Sequence, residues 1–329
     1  MAIGIGRREF ITFLGGATCA WPLAAQAQQP AMPVIGVINA GAADYYVAAF
    51  RKGLQENGTI DGQNVAVEYY GLDGQFDRLS AMMADLVRRQ VAAIVTTGTV
   101  QVARAAKAAT ATIPIVFSVP QDPVRLGLVA SLARPGGNAT GINFFSSEVL
   151  TKRLRLLHDL LPKAIRVAVL LNPSNASNTE AYARAVQEAA PAMGLQVQML
   201  NAATSSEIEA VFATLARERP DALFVAGDAF FNSRVVQFAT LAAVNKIPST
   251  FSQRDFVAAG GLMSYGTDIA DMYQQLGAYT GRILKGEKPT DLPVVQSTKF
   301  VFAINLQTAR ALGVEVPSGV LSIADEVIE

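Results

Sequence analysis

From Val34 onward, short runs rich in β-branched residues alternate with alanine-rich, amphipathic stretches of helical length. The short runs are apolar on both faces, which is typical of strands in parallel sheets that helices cover on both sides. The predicted strands cover residues 34–39, 65–70, 92–97, 115–118, 140–144, 167–171, 196–200, 222–226 and 249–252. The predicted helices between them cover residues 46–58, 75–90, 99–110, 147–161, 179–193 and 205–217.

The predicted strands fall into two successive sets. A cluster of turn residues, Pro135-Gly136-Gly137-Asn138, separates them and predicts the break. The pattern therefore indicates an α/β fold of two doubly wound lobes that face each other across a cleft. Ligands of open parallel sheets bind beyond the carboxyl ends of the strands. The loops that directly follow the strands are therefore where binding residues are expected.

Composition narrows the possible functions. Hydrophobic residues make up 51% of the 329 residues and charged residues 16%, so the chain can bury a large core. Lys plus Arg and Asp plus Glu both number 27, and this balance gives no attraction to nucleic acid or to an anionic bilayer. The single Cys and single His disfavour zinc sites, disulfide frameworks and nucleophilic triads. We therefore predict a chain that is not an enzyme and binds no metal or cofactor.

The first residues have the three parts of an export signal. Arg7-Arg8 followed by Phe10 resembles a twin-arginine motif, a weakly apolar run follows, and Ala25-Gln26-Ala27 is a small-x-small cleavage site. We expect cleavage after residue 27, which would remove the lone Cys19. Lipidation of Cys19 is an alternative, although the residues before it lack the usual aliphatic position. An amphipathic first helix is disfavoured because Pro22 would break it.

Several segments together resemble a known family. They are Asp122-Pro123-Val124 with Gly127-Leu128-Val129, Arg134-Pro135-Gly136-Gly137-Asn138-Ala139-Thr140-Gly141, Leu171-Asn172-Pro173-Ser174-Asn175, and Ala258-Ala259-Gly260-Gly261-Leu262-Met263-Ser264-Tyr265-Gly266. In this order and spacing they resemble the ABC-transporter substrate-binding proteins of the tryptophan/tyrosine type. The resemblance covers nearly the whole chain.

That resemblance implies a type I periplasmic-binding fold, in which two Rossmann-like lobes joined by three crossovers close on a ligand. The crossovers are expected near residues 141–145, 265–268 and 292–296. Lobe one would comprise residues 33–142 with 266–292, and lobe two residues 143–264 with 297–329. Characterised members of the family bind aromatic amino acids. We therefore expect a monomeric periplasmic protein that delivers a small aromatic carboxylate to an ABC permease in the inner membrane.

A candidate carboxylate site follows the third predicted strand. Thr97-Gly98-Thr99 ends this strand and begins a helix, so backbone N–H groups, the helix dipole and hydroxyl donors converge there. Gly98 would let a ligand approach the backbone closely. Helix capping by Thr97 or Thr99 is the alternative. Ser118, at the end of the next strand, is a second candidate donor.

Candidate residues for the rest of the ligand come from both predicted sets. Asp228 follows a strand and has aromatic neighbours, so it is a candidate partner for an ammonium group, with helix capping as the alternative. Asn172 and Ser174 lead into a helix and could contact polar ligand groups or simply cap it. Three aromatic residues near strand ends could stack on a ring, although each alone is typical of a core residue. They are Tyr45, Tyr46 and Phe230.

Two other classes of protein share parts of this pattern. The first strand runs into Gly36-Val37-Ile38-Asn39-Ala40-Gly41, which is not a G-x-G-x-x-G, and no P-loop motif occurs, so a nucleotide-dependent enzyme is disfavoured. An extracytoplasmic sensor that signals to a membrane partner stays open, because the same fold serves receptors. Genes for a permease and an ATPase beside this one would favour transport.

Overall fold

The structure, a computed structural model, describes residues 32–39, 44–72, 76–144 and 147–329. The predicted export signal, residues 1–27 with Cys19, lies outside the described residues. The strands are β1 (Val34–Asn39), β2 (Ala66–Gly71), β3 (Ala93–Thr96), β4 (Ile115–Val119), β5 (Ala139–Asn143), β6 (Arg166–Leu171), β7 (Gln196–Asn201), β8 (Ala222–Val225), β9 (Ser249–Phe251), β10 (Met263–Thr267), β11 (Val295–Gln296), β12 (Phe300–Asn305) and β13 (Glu326–Ile328).

The α-helices alternate with these strands over most of the chain. They are α1 (Asp44–Glu56), α2 (Leu79–Arg88), α3 (Val100–Ala109), α4 (Ser147–Leu160), α5 (Ala176–Ala189), α6 (Ser205–Glu218), α7 (Ala229–Asn232), α8 (Val235–Val244), α9 (Arg254–Ala258), α10 (Ile269–Leu284), α11 (Leu306–Leu312) and α12 (Ser318–Leu321). Polar side chains begin several of them: Thr99 caps α3, Thr204 caps α6 and Asp268 caps α10.

The first sheet has the strand order β2-β1-β3-β4-β5-β11, and its neighbouring strands are parallel. Every residue of β3, β4 and β5 is buried, because helices cover both faces. One face packs against α1 and α10 through residues such as Phe50 and Leu276. The other packs against α2 and α3 through residues such as Leu86 and Val102. This sheet and these four helices are called the first lobe.

The second sheet has the strand order β7-β6-β8-β9-β10-β12-β13. One face packs against α4 and α5 through residues such as Leu154 and Val186. The other packs against α6, α8 and α9 through three phenylalanines, Phe212, Phe238 and Phe256. This sheet with α4 to α9, α11 and α12 is called the second lobe. The predicted α/β fold of two lobes with largely parallel sheets is confirmed.

One strand pair departs from the parallel prediction. β10 and β12 are antiparallel, and Thr267 at the end of β10 lies beside Phe300 at the start of β12. The chain leaves the second lobe after β10, builds α10 and β11 in the first lobe, and returns to β12. Since it leaves and re-enters at the same edge of the sheet, β12 must run back alongside β10.

The break between the two sets was predicted one strand too early. β5 pairs with β4 in the first sheet, with Ala139 beside Ile115, so the turn at Pro135-Gly136-Gly137-Asn138 lies within the first lobe. That turn needs Gly136 at a φ of +70°. A connection between two strands of one sheet has the same turn composition as a linker between lobes, and the sequence pattern does not distinguish them.

The chain passes between the lobes after β5, after β10 and after β11. Hydrogen bonds join these passages side by side. The Thr267 hydroxyl donates to the Phe144 carbonyl at 2.8 Å, and the Ser297 N–H donates to the Asn143 carbonyl at 2.8 Å. The finer lobe boundaries expected from the resemblance stay a prediction.

Candidate functional site

A cavity of about 600 Å³ lies between the carboxyl ends of the strands of the two sheets. Its volume is in the range of small-molecule sites. Residues of the first lobe that line it include Tyr45, Tyr46, Thr97, Gly98, Pro120, Ile269, Met272 and Tyr273. Polar residues of the second lobe that line it include Arg153, Asn175, Asn178, Tyr182, Asp228, Asn232, Ser252, Gln253, Arg254 and Asp255. The first lobe thus contributes a wall with three tyrosine rings, called the aromatic wall, and the second lobe a wall with most of the polar side chains, called the polar wall.

The aromatic wall consists of tyrosine rings on α1 and α10. The rings of Tyr46 and Tyr273 are stacked, with centroids 5.3 Å apart and an angle of 16° between their planes. The Tyr45 ring lies 4.1 Å from that of Tyr46. The Tyr273 hydroxyl donates a hydrogen bond to Thr97 Oγ1 at 2.9 Å, and burial raises the pKa of Tyr273 to about 12. This wall offers flat rings at the cavity surface.

Two glycines set the position of these rings. A Cβ on Gly53 of α1 would lie 1.9 Å from the Gln274 carbonyl oxygen, and one on Gly277 of α10 would lie 2.0 Å from the Phe50 carbonyl oxygen. The backbones of α1 and α10 therefore approach closer than any side chain would allow. The close crossing brings Tyr46 and Tyr273 against each other.

Asp228 is the buried carboxylate of the polar wall, and its residue is 6% exposed. Its Oδ1 accepts hydrogen bonds from Asn172 Nδ2 at 2.7 Å and from the Phe230 N–H at 2.9 Å. Its Oδ2 accepts one from Asn175 Nδ2 at 3.0 Å. The side chain therefore caps α7 and also lines the cavity, so capping leaves Asp228 a candidate partner for an ammonium group.

The other predicted polar residues of the second lobe lie on the side of Asp228 away from the cavity. Asn172 is buried, holds Asp228, and accepts a hydrogen bond from the Ser174 N–H at 3.0 Å. Neither Asn172 nor Ser174 is among the residues that line the cavity. They position the carboxylate rather than contact the space that a ligand would occupy.

The predicted carboxylate loop is only partly open to the cavity. Thr97 and Gly98 line it, whereas the Thr99 hydroxyl accepts a hydrogen bond from the Val102 N–H and caps α3. The Thr97 N–H already donates to the Ile38 carbonyl at 3.0 Å. Ser118 is fully buried beneath the loop, where its Oγ accepts a long hydrogen bond of 3.4 Å from the Gly98 N–H.

Phe230, the third predicted aromatic residue, does not line the cavity. Its ring lies 3.7 Å from the guanidinium carbon of Arg234 and packs against the core of the second lobe beside Phe231. A residue at the start of the short helix α7 can face either the cavity or the core of the second lobe, and the sequence does not indicate which.

Arg153 of α4 lines the cavity and was missed by sequence reasoning. It is 1% exposed, which makes it the largest fully buried side chain of the described residues. Its guanidinium carbon lies 4.0 Å from the centroid of the Phe224 ring, and Nη2 donates to the Val225 carbonyl at 2.9 Å. The sequence contained a signal, because Arg153 lies on the same helical stripe as Leu150, Leu154 and Leu157.

Asp255 of α9 was also missed, and it joins the two lobes. Both of its carboxylate oxygens accept hydrogen bonds from the first lobe, one from the Tyr45 hydroxyl and one from the Tyr46 hydroxyl. Burial first, and the negative charge of Asp255 after it, raise the pKa of Tyr46 far above its usual range. Both hydroxyls therefore stay protonated and able to donate. No sequence motif marks this contact, since it forms between residues more than two hundred positions apart.

The described residues contain no cluster of three or more His, Cys, Asp or Glu side chains that could hold a metal ion. None of the helices in the described ranges is both long enough and apolar enough to cross a membrane.

A two-lobed α/β chain with an aromatic and polar cavity between its sheets is a ligand-binding protein of the type I periplasmic-binding fold. The chain belongs to the ABC transporter substrate binding protein family, whose profile matches residues 31–328. ABC substrate-binding proteins are extracytoplasmic.

Known relatives support this assignment. The chain is 29% identical over 266 residues to a tyrosine-binding protein of Clostridioides difficile (strain R20291), covering 81% of this chain and 76% of that protein. It is 26% identical to an ABC domain in complex with L-Trp from Streptococcus pneumonia, with a TM-score of 0.81 over 90% of this chain and 99% of that one. These relatives are binding proteins rather than enzymes.

A second solved structure, of a ligand-free protein, shares the fold. The ligand-free, open structure of a substrate-binding protein with adhesive properties from Clostridium difficile is 28% identical, over 90% of this chain and 99% of that one. Its TM-score is 0.66, lower than that of the L-Trp complex, although its sequence identity is slightly higher. The structure as a whole is therefore more similar to that of the ligand-bound relative.

Proposed function

We propose that this protein captures an aromatic amino acid, or a related aromatic carboxylate, and delivers it to an ABC permease in the inner membrane. The observation that carries the proposal is the cavity itself, which places stacked tyrosine rings opposite a buried, hydrogen-bonded carboxylate. Similarity to a tyrosine-binding protein and to an L-Trp complex supports the same ligand class.

The proposed ligand lies across the cavity. Its ammonium group pairs with Asp228, whose carboxylate accepts three protein hydrogen bonds and has capacity for one more on Oδ2. Its ring packs against Tyr46 and Tyr273. Two sets of donors suit its carboxylate: the loop at Thr97 and Gly98, predicted from the sequence, and the guanidinium of Arg153 in the second lobe.

Closure of the two lobes traps the ligand in this proposal. The Tyr45 and Tyr46 hydroxyls of the first lobe bond to Asp255 of the second, so these bonds would add to the energy of closure. The greater similarity to the ligand-bound relative than to the ligand-free, open one supports a closed arrangement here. The connections at Phe144, Thr267 and Ser297 would act as the hinge.

The proposal includes export to the periplasm by the twin-arginine route. It rests on Arg7-Arg8 and on the cleavage site at Ala27. Replacing both arginines by lysine is expected to leave unprocessed precursor in the cytoplasm, as seen by fractionation and immunoblotting. Normal processing of that variant would refute the route but not the compartment.

Isothermal titration calorimetry on the mature protein tests the ligand class. L-tyrosine, L-tryptophan and L-phenylalanine are titrated beside their deaminated acids and beside D-glucose and putrescine as unrelated ligands. We expect at least one aromatic amino acid to bind with micromolar or better affinity and to be recovered unchanged. Binding of only the sugar or the polyamine would refute the aromatic ligand, and chemical turnover would refute a pure binding role.

A further inference from the structure

Arg153 combines deep burial with a charge that no protein group neutralises. This residue is 1% exposed. None of the described acidic side chains forms a salt bridge with it, although exposed arginines elsewhere on the molecule, such as Arg51 and Arg89, are paired. Taking a guanidinium out of water without a paired anion is costly. A buried cation of this kind is normally kept because something anionic binds to it.

The hydrogen-bonding capacity of Arg153 is only partly used. A guanidinium has five N–H donors. Nη2 donates to the Val225 carbonyl and the guanidinium also bonds to the Tyr182 side chain, while Nε is buried with no hydrogen-bond partner among the described residues. The Phe224 ring packs against the guanidinium at 4.0 Å and fixes its plane. The planar fork is therefore held in one orientation at the cavity wall.

The charge persists at neutral pH despite the burial. Desolvation lowers the pKa of Arg153 to about 10, and the neighbouring Tyr182 opposes part of this effect. A group that ionises at about 10 is still protonated at pH 7. The cavity wall therefore includes a permanent positive charge.

The competing anion site is less available. At the loop of the first lobe, the Thr97 N–H is bonded to Ile38, its hydroxyl accepts from Tyr273, and the Thr99 hydroxyl caps α3. Gly98 contributes one N–H, which already has a long contact to Ser118. The loop thus offers few unpaired donors, whereas Arg153 combines an unpaired N–H with a full positive charge.

We infer that Arg153 is the residue that binds the carboxylate of the ligand, with its guanidinium facing the carboxylate in the cavity. This inference rests on the proposed function of the cavity. Both charged ends of an amino acid are then held by the second lobe, the carboxylate by Arg153 and the ammonium by Asp228. The first lobe supplies the tyrosine rings that close over the side chain. A neutral or purely cationic compound leaves Arg153 unpaired and is rejected.

Calorimetry with matched ligands tests the assignment. Wild type, Arg153→Met and Arg153→Lys are titrated with L-phenylalanine and with L-phenylalaninamide, at slightly acidic pH so that both amines are protonated. The control is Arg155→Met, which removes an exposed arginine from the same helix. We expect Arg153→Met to raise the dissociation constant of L-phenylalanine by about 100-fold or more and to change that of the amide by less than about threefold. Arg153→Lys keeps the charge without the planar guanidinium, and its affinity for L-phenylalanine should be intermediate.

The outcomes separate this inference from the proposed function. Equal weakening of both compounds by Arg153→Met, or no weakening of either, overturns the carboxylate role. If wild type binds no aromatic amino acid but binds another carboxylic acid in a thermal-shift screen, the aromatic ligand is wrong, and the same variants are tested with that acid and its amide. If wild type binds only uncharged or cationic compounds, both ideas fail. Circular dichroism confirms that each variant is folded.

Discussion

Tyr46 in the first lobe donates a hydrogen bond to Asp255 in the second lobe, with 3.0 Å between the hydroxyl and Oδ2. The neighbouring Tyr45 donates to the other carboxylate oxygen. Both tyrosines also line the cavity, and Tyr46 stacks on Tyr273. The residues proposed to hold the aromatic ring are therefore the same ones that join the lobes, so in the proposed function one cluster would serve both ligand contact and closure.

Removing the acceptor should weaken ligand binding through closure. We expect Asp255→Asn to raise the dissociation constant about tenfold, because hydrogen bonds to a charged group contribute about 1.5–3 kcal/mol. Tyr46→Phe keeps the ring and removes the hydroxyl. In a double-mutant cycle measured by calorimetry, the loss of binding free energy caused by Asp255→Asn should be smaller in the Tyr46→Phe variant than in wild type. Fully additive effects would mean that the bond does not contribute to the bound state.

Asp228 should discriminate between ligands with and without an amine. Asp228→Asn keeps an oxygen that can cap α7 but removes the negative charge. We expect this variant to bind an aromatic amino acid about 100-fold more weakly, as for loss of one partner of a buried charge pair. The deaminated acid should lose little affinity or gain some. Calorimetry with both compounds measures the difference, and equal losses would argue against an ammonium partner.

Adding a methyl group at the crossing of α1 and α10 should destabilise the first lobe. In Gly53→Ala the new Cβ would lie 1.9 Å from the Gln274 carbonyl oxygen, so the helices must separate. We expect a loss of about 2 kcal/mol in the free energy of unfolding, the usual scale of overpacking, together with weaker ligand binding as Tyr46 moves.

Gly319→Ala is the matched control for that variant. Gly319 lies in α12, and a Cβ there meets no atom within 4 Å. We expect its free energy of unfolding to stay unchanged or to rise slightly, because alanine favours the helix. Urea unfolding followed by circular dichroism gives both values. Equal stability of the two variants would show that the helix crossing tolerates expansion.

Alkaline pH should destabilise the protein through Tyr273. Burial raises the pKa of this hydroxyl to about 12, whereas in the unfolded chain it ionises near 10. The unfolded state therefore loses its proton first as pH rises, so the stability from keeping Tyr273 neutral is complete below pH 10 and is lost between about 10 and 12.

Tyr273→Phe isolates this contribution. Urea unfolding of wild type and variant at several pH values from 9 upward should show a steeper fall in stability for wild type, by on the order of 2 kcal/mol across the window. Identical slopes for the two proteins would mean that Tyr273 ionises near its usual pKa in the folded state.

The local pattern of the chain determined much of the architecture. Runs that are apolar on both faces can be satisfied only within sheets covered by helices, so β1, β3 and β6 and the helices beside them were predicted to within a residue or a few. Residues at strand ends were also predictable, because parallel strands all end at one edge, and Tyr45, Tyr46, Thr97, Gly98 and Asp228 do line the cavity.

Tertiary structure alone decided which of these side chains face one another. Whether Phe230 points into the cavity or toward Arg234 depends on packing around α7. The antiparallel return of β12 follows from where the chain re-enters the second lobe. Contacts such as Tyr46 with Asp255 join residues that are distant in sequence. The period of apolar residues indicates which face of a helix or strand is buried, but not which other element packs against that face. The hydrophobic effect is non-directional, so the packing partner depends on how the lobes meet.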